Sequence, residues 1–174
     1  GDTAVIVRGA CTPGPVEPRV VHPYTWADVR LTNGLALHAI SVHLLPPQLR
    51  DDLWRLDAWR STARLEAGRR QQLRELADRL ALVPAGTPIV VGGDFNVPAY
   101  DGILRVLRPR LHDSFRERGI GWGNTVLNEL PISRFDQVWL GDQLRSTGTR
   151  AIRTRYSDHR LVVCDTVCQA APPG

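Results

Sequence analysis

Four short polar clusters in this sequence combine residue types that can activate water or hold an anion. They are Gly93-Asp94-Phe95-Asn96, Arg134-Phe135-Asp136, Ser157-Asp158-His159 and the single His43. A carboxylate or an imidazole can take a proton from water, and an amide N–H can donate to an oxygen that gains charge in a transition state. Taken together, the clusters could activate water and stabilise an oxygen that gains charge.

Each cluster taken alone also has an ordinary structural explanation. The carboxylate and amide after residue 93 fit an Asx turn, and residues 157–159 fit the cap of a strand. Arg134 and Asp136 could form an ion pair on an edge strand, and a lone histidine such as His43 is more often structural than catalytic. The case for chemistry therefore depends on the clusters acting together.

Alternation along an extended chain predicts which side chains share a pocket. Asp94 and Asn96 should face one side, while Phe95 faces the other and anchors in the core. On this argument the carboxylate and the amide reach the same pocket. The same alternation places Arg134 and Asp136 on one face.

The run Ser157-Asp158-His159 does not fit a serine-hydrolase triad, because consecutive side chains diverge and cannot form an ordered relay. His159 then needs an orienting partner from elsewhere. Asp136 is the best candidate to accept a hydrogen bond from this imidazole and to fix its tautomer. Asp158 is left free to bind a cation.

The clusters lie at the ends of predicted strands, where catalytic groups often gather. Asn33-Gly34 predicts a hairpin between two of the strands, and repeated leucines at three- and four-residue steps predict a long helix that could break near Ser61 or Gly68. The mixture lacks strict alternation and favours an α/β or α+β sandwich. The predicted strands cover 3–7, 28–32, 35–44, 88–93, 135–140, 149–154 and 160–166, and the predicted helices cover 48–82 and 101–107.

Composition is that of one globular domain. The 174 residues are 43% hydrophobic and 23% charged, and no apolar run is long enough to span a bilayer. All 22 basic residues are arginine and the net charge is only +4, which favours a compositional bias over a nucleic-acid-binding surface. The three cysteines do not form a zinc or disulfide pattern, so we expect free and mostly buried thiols.

The order of the clusters along the chain resembles the endonuclease/exonuclease/phosphatase family. The Gly-Asp-Phe-Asn and Ser-Asp-His motifs are the most specific marks, and Arg-Phe-Asp-Gln-Val looks like the family's Arg-Ile-Asp-Tyr-Ile, with Phe135 and Gln137 as departures. The resemblance runs from about residue 4 to residue 167. Residues 121–125 are similar to bacterial members that carry membrane segments upstream.

The resemblance implies roles for the matched residues. It implies that Asp94 positions or deprotonates the attacking water and that Asn96 holds a phosphoryl oxygen. It also implies that His159 contacts the scissile phosphate as acid/base or charge stabiliser and that Asp136 orients His159.

The remaining matched residues are implied to bind the metal and the substrate. Asp158 would help to bind Mg2+ or Mn2+, a hard cation that suits oxygen ligands. His43 matches a histidine that some subfamilies use near the leaving group, and Arg134 is expected to contact the substrate.

The implied fold is a deoxyribonuclease I-like four-layer sandwich, with two packed, mostly antiparallel β-sheets flanked by helices. The family's first motifs, including a Gln-Glu pair whose Glu is the principal metal ligand, are not matched here. We therefore expect a partial domain over residues 1–168, without the first strands, and a tail over 169–174. A trimmed parent chain, a second chain that completes the fold and a degenerate gene product would each explain this.

The implied activity is Mg2+-dependent hydrolysis of a phosphodiester or phosphomonoester by in-line attack of water, for the complete domain. The substrate is left open among nucleic acid, a phospholipid head group and a small phosphate ester. Two rivals remain: an inactive remnant that acts as a binding module, and a nucleic-acid-binding domain without chemistry. Oligomeric state is open, as is location in the cytoplasm or next to an upstream membrane segment.

Overall fold

The computed structural model describes residues 3–14, 24–47 and 55–169. These residues form two α-helices, α1 (Leu56–Ala81) and α2 (Ser114–Arg118), together with a 3₁₀ helix over Gly102–Leu107. The strands are β1 (Gly9–Pro13), β2 (Tyr24–Leu31), β3 (Ala36–His43), β4 (Ile89–Asp94), β5 (Leu111–Asp113), β6 (Asp136–Gly141), β7 (Leu144–Ile152) and β8 (Leu161–Cys168).

The strands form two sheets. The larger has six strands in the order β1-β2-β3-β4-β6-β5, and the smaller pairs β7 with β8. Only β3 and β4 run parallel, while every other pair within these sheets is antiparallel. With the helices outside, this confirms the predicted sandwich of two mostly antiparallel sheets.

One face of the large sheet packs against α1. The helix buries Leu73, Leu76 and Leu80 completely, and their three- and four-residue spacing places them on one side of the helix. They join the core formed by alternate residues of the sheet, including Val91 and Trp139. Burial of this stripe supplies the main driving force that fixes the register of β3, β4 and β6.

The opposite face of the large sheet is turned towards the small sheet, since β6 contacts both β7 and β8. Ser41, Gly92 and Val138 lie side by side on this face in register, and all three are half-buried. Leu161 and Val162 of β8 help to line the space between the two sheets. The catalytic candidates lie at one end of this space.

Several predicted boundaries are wrong. Residues 3–7 are not a strand, because the first strand begins at Gly9. The long helix does not break near Ser61 or Gly68, and residues 48–54 of its predicted range lie outside the described residues. The strand predicted at 149–154 begins at Leu144, and both β5 and α2 were missed. Asp113 caps α2 through its side chain, a local signal that hydrophobic periodicity does not contain.

The cysteines are free, as predicted, but Cys11 and Cys168 are exposed rather than buried. Trp122 is 68% exposed. No helix in the described part of the chain combines the length and the apolar character needed to cross a membrane.

Candidate active site

Three neighbouring strands carry candidate side chains in a single row. β3 ends at His43, β4 ends at Asp94 and β6 begins at Asp136, and the register pairs His43 with Asp94 and Asp94 with Asp136. Directly paired residues project from the same face of a sheet. The topology therefore brings together three groups that are distant in sequence, on the face opposite α1.

The loop between β7 and β8 adds His159 to this row. Its Nδ1 lies 2.8 Å from Oδ2 of Asp136, so the hydrogen bond predicted between these two residues is present. Both side chains are largely buried, with 25% and 21% of their surface exposed. Within the described ranges, Asp94, Asp136 and His159 are the one group of metal-ligating side chains whose atoms all lie within 4.8 Å of one another.

The surroundings of Asp94 shift the pKa of its carboxyl group. Burial raises the pKa of Asp94 above its ordinary value, and the neighbouring carboxylate of Asp136 raises it further. The backbone N–H of Asn96, which donates to Oδ1 at 2.8 Å, and the charges of His159 and His43 lower the pKa and oppose part of this rise. The net effect is a carboxylate that binds a proton more readily than an exposed aspartate.

A tight turn follows Asp94. Phe95 is fully buried, as alternation predicts, but the chain then leaves the extended conformation, because Asn96 has a φ of 51°. The Asn96 side chain is buried and its Nδ2 donates to the Leu44 carbonyl at 2.8 Å. The amide thus fixes the turn that orients Asp94.

Gly93 is required by the close approach of β3 and β4. Its φ is +141°, and a Cβ at this position would lie 2.0 Å from the carbonyl oxygen of Val42. Any side chain would push apart the strands that carry His43 and Asp94.

Two cavities meet at the site. One, of about 550 Å³, lies between the sheets and is lined by Asp136 and His159 among others. The second, of about 790 Å³, is lined by the loop residues 127–129 and by most of residues 153–158. Thr154 and Ser157 line both cavities, so a ligand at His159 could extend into either one.

Two predicted site residues lie apart from the row. The Arg134 guanidinium binds both carboxylate oxygens of Asp113, at 2.8 and 2.5 Å, and stacks 4.9 Å from the Phe115 ring centroid. Asp158 is exposed and lines the larger cavity, and its main-chain carbonyl accepts a hydrogen bond from Asn128.

Sequence reasoning missed Thr125 and Asn128. Both are buried polar residues in the loop before Arg134, and both bind backbone atoms next to the cluster. Loop residues have no periodic pattern, and a buried hydroxyl or amide cannot be recognised in a sequence without its partners.

The arrangement can exchange protons and hold a cation. An imidazole fixed by one carboxylate, beside a second carboxylate with a raised pKa, is an acid–base pair next to a site of concentrated negative charge. A hard divalent cation fits such a site, because Mg2+ binds through one or two carboxylates and completes its shell with water and phosphate oxygens.

Comparison with known proteins identifies the family of the chain. The model of the Endonuclease/Exonuclease/phosphatase family matches residues 3–159. No curated protein sequence matches the chain.

Solved structures share the fold at low sequence identity. An endonuclease/exonuclease/phosphatase from Beutenbergia cavernae is 20% identical with a TM-score of 0.68, and the match covers 99% of this chain and 47% of that one. A mannosyl-6-phosphatase from Bacteroides thetaiotaomicron is 18% identical with a TM-score of 0.55, over 83% of this chain and 56% of that one.

A Staphylococcus aureus beta toxin mutant with bound magnesium ions is 14% identical with a TM-score of 0.60, over 81% of this chain and 56% of that one. The chain therefore spans about half the length of the structures that it matches.

Proposed function

The chain belongs to the endonuclease/exonuclease/phosphatase family, and from that premise we propose that the complete protein is a divalent-cation-dependent phosphoester hydrolase. Water would attack the phosphorus in line with the leaving group. The observation that carries the proposal is the pair of Asp136 and His159 beside the half-buried carboxylate of Asp94, at the mouth of a cavity.

Asp94 is the proposed base. Its raised pKa strengthens it as a proton acceptor, and the N–H of Asn96 holds one carboxylate oxygen in place. It would position the attacking water or take its proton. Asn96 is also proposed to hold a phosphoryl oxygen, although one donor of its amide already binds Leu44.

His159 is the proposed group that contacts the scissile phosphate. Asp136 engages Nδ1, which leaves Nε2 as the ring nitrogen that would exchange a proton or donate to a phosphoryl oxygen. His43, at the other end of the row, would act near the leaving group. Arg134 is the proposed substrate contact whose geometry fits least well, because its guanidinium binds Asp113.

Mg2+ or Mn2+ is the proposed cofactor. Asp94 and Asp136 provide clustered carboxylates on the sheet, and Asp158 is a further proposed ligand from the loop beside His159. When bound, the cation would polarise the phosphoryl group and stabilise its developing charge. Burial is the main cause of the raised pKa of Asp94 and repulsion by Asp136 a lesser one, and a nearby cation would offset both by stabilising the ionised carboxylate.

The proposed substrate is a phosphate ester, and the site residues do not identify the alcohol group of that ester. Nucleic acid, a phospholipid head group and a small phosphate ester all remain candidates. The similarity to a mannosyl-6-phosphatase favours including sugar phosphates among the small esters to be tested.

The test is hydrolysis of bis-(p-nitrophenyl) phosphate and p-nitrophenyl phosphate at millimolar Mg2+ or Mn2+. We expect activity that requires the cation, that is lost in His159→Ala and that persists in His38→Ala, a histidine with its own aspartate partner elsewhere in the fold. Activity in the wild type that survives His159→Ala would refute the assigned site. A wild type that is inactive with both esters would favour the binding-module alternative, and DNA affinity that falls steeply with salt would then identify a nucleic-acid-binding module.

A further inference from the structure

Thr125 contacts the backbone on both sides of the Asp136–His159 pair. Its side chain is fully buried, and Oγ1 accepts hydrogen bonds from the N–H groups of Phe135 and Asp136 at 3.2 and 3.1 Å. Its own carbonyl accepts from the N–H of Arg160 at 2.9 Å. One residue thus connects the start of β6 to the residue that follows His159.

Asn128 forms its hydrogen bonds with residues of the loop between β7 and β8, which carries His159. Its backbone N–H donates to the Asp158 carbonyl at 2.6 Å, and its carbonyl accepts from Nε of Arg160 at 3.0 Å. Its side-chain Oδ1 accepts from the N–H of Thr154 at 3.2 Å, while Nδ2 donates to the carbonyl of Thr154. These four bonds hold the chain on both sides of His159.

Val126 and Leu127 lie between Thr125 and Asn128 and help to position them. The backbone of Val126 forms an isolated antiparallel bridge with His159 itself. Leu127 has a φ of 64°, and Asn96 is the other described residue besides glycine with a positive φ. A leucine in this conformation is uncommon, and such outliers persist where the surrounding structure demands them.

We propose that residues 125–128 form a brace that sets the geometry of the Asp136–His159 pair, with Thr125 and Asn128 as positioning residues. The inference rests on the proposed function for its effect on catalysis. The structural part of the inference does not depend on that function. Asp136 lies on β6 and His159 lies on the loop between β7 and β8, and the brace binds the backbone of both residues. A displacement of either half would lengthen the 2.8 Å bond between them.

The experiment compares Thr125→Val, which removes the accepting hydroxyl at nearly constant volume, with Thr125→Ser, which keeps it. The matched control is Thr149→Val, because Thr149 is also buried and its Oγ1 binds Ser146 and Cys164 within the small sheet. The first readout is the NMR signal of the imidazole proton shared by His159 and Asp136. The second is kcat and KM for the phosphate ester that the wild type hydrolyses.

We expect Thr125→Val to lose or shift the His159 signal and to lower kcat by about 10- to 100-fold with KM unchanged, the range typical of groups that orient a catalytic ligand. Thr125→Ser should restore both readouts, and Thr149→Val should leave both at the wild-type level. The signal of His38 is assigned by its loss in His38→Ala.

An unchanged His159 signal in folded Thr125→Val would overturn the brace, as would equal losses in Thr125→Val and Thr149→Val. If Thr125→Val does not fold, Asn128→Asp replaces it, since it keeps the acceptor for Thr154 and removes the donor, and the same outcomes decide. A wild type without hydrolytic activity would refute the proposed function. The NMR signal of His159 would still test whether residues 125–128 position the Asp136–His159 pair.

Discussion

The described part of the chain holds two Asp–His pairs, and one of them belongs to the candidate active site. Asp28 and His38 lie opposite each other on β2 and β3, with Oδ1 2.6 Å from Nδ1. Asp136 and His159 lie 2.8 Å apart but come from a strand and from a distant loop. The hydrogen bonds are nearly the same, so the bond itself does not distinguish a catalytic pair from a structural one.

The surroundings of the two pairs differ. His38 packs against Trp26, with ring centroids 5.3 Å apart and the indole N–H 3.3 Å from the same Nδ1 that binds Asp28. Both pairs line a cavity, and the one beside Asp28 and His38 measures about 330 Å³. A neighbouring cavity therefore does not distinguish the two pairs. What sets Asp136 and His159 apart is the third group, the half-buried Asp94, which completes a cluster that could hold a cation.

The largest contrast between the pairs should be in turnover. Asp136→Asn should lower kcat by about 10²- to 10⁴-fold, the usual contribution of a positioned acid–base group, because His159 loses the charged carboxylate that fixes its tautomer. Asp28→Asn makes the same chemical change at the other pair and should leave kcat unchanged. Steady-state kinetics with an activated phosphate ester measures both, and equal losses would show that the pairs are not distinguished by function.

The second contrast is in cation binding. Asp94→Asn and Asp136→Asn should each weaken Mn2+ binding by at least about tenfold, or about 1.4 kcal/mol, because each removes one carboxylate from the cluster. Asp28→Asn should leave the affinity unchanged. Calorimetric titration or the electron paramagnetic resonance of free Mn2+ gives the affinities. Wild-type binding that none of these variants alters would place the cation elsewhere.

For the free energy of unfolding, the pair of Asp28 and His38 should matter more than the pair of Asp136 and His159. His38→Ala should lower the free energy of unfolding by about 0.5–1.5 kcal/mol, since it removes a cross-strand hydrogen bond and the contact with Trp26. His159→Ala should change it less, because this histidine lies on a loop. Urea denaturation provides the comparison, and a larger loss in His159→Ala would make that pair structural as well.

The smallest effect concerns pH. Because the pKa of Asp94 is raised in the folded chain, its ionisation costs stability as pH rises above the ordinary value of 3.8. Asp94→Asn removes this cost, so it should melt higher than the wild type near pH 7, by about 2–4 °C for each kcal/mol recovered. Below the ordinary pKa both side chains are neutral and the difference should vanish. A gain that persists at about pH 3 would show that the effect is not due to charge.

The motifs and the fold class could be predicted from the sequence, and particular residues show why. Phe95 was correctly placed in the core by alternation, and the turn at Asn33-Gly34 fixed one hairpin correctly. The bond between Asp136 and His159 could be predicted because consecutive side chains excluded a local partner. Local rules were enough for each of these three features.

The rest depends on contacts that local rules do not describe. The bonds of Arg134 to Asp113 and of Thr125 to the backbone at 135 and 136 join segments that no periodicity relates. Alternation failed at Asn96 because the chain turns immediately after β4. These residues decide how the site is held rather than which chemistry it offers.

The row of His43, Asp94 and Asp136, completed by His159, also bears on how the protein folds. An early hairpin of β2 and β3 would carry His43 alone, and the parallel pairing of β3 with β4 requires the long crossover through α1. Non-local pairings of this kind form slowly. The site is therefore complete only when chain segments from residue 43 to residue 159 have docked, so a chain that has formed only the hairpin would lack the assembled cluster.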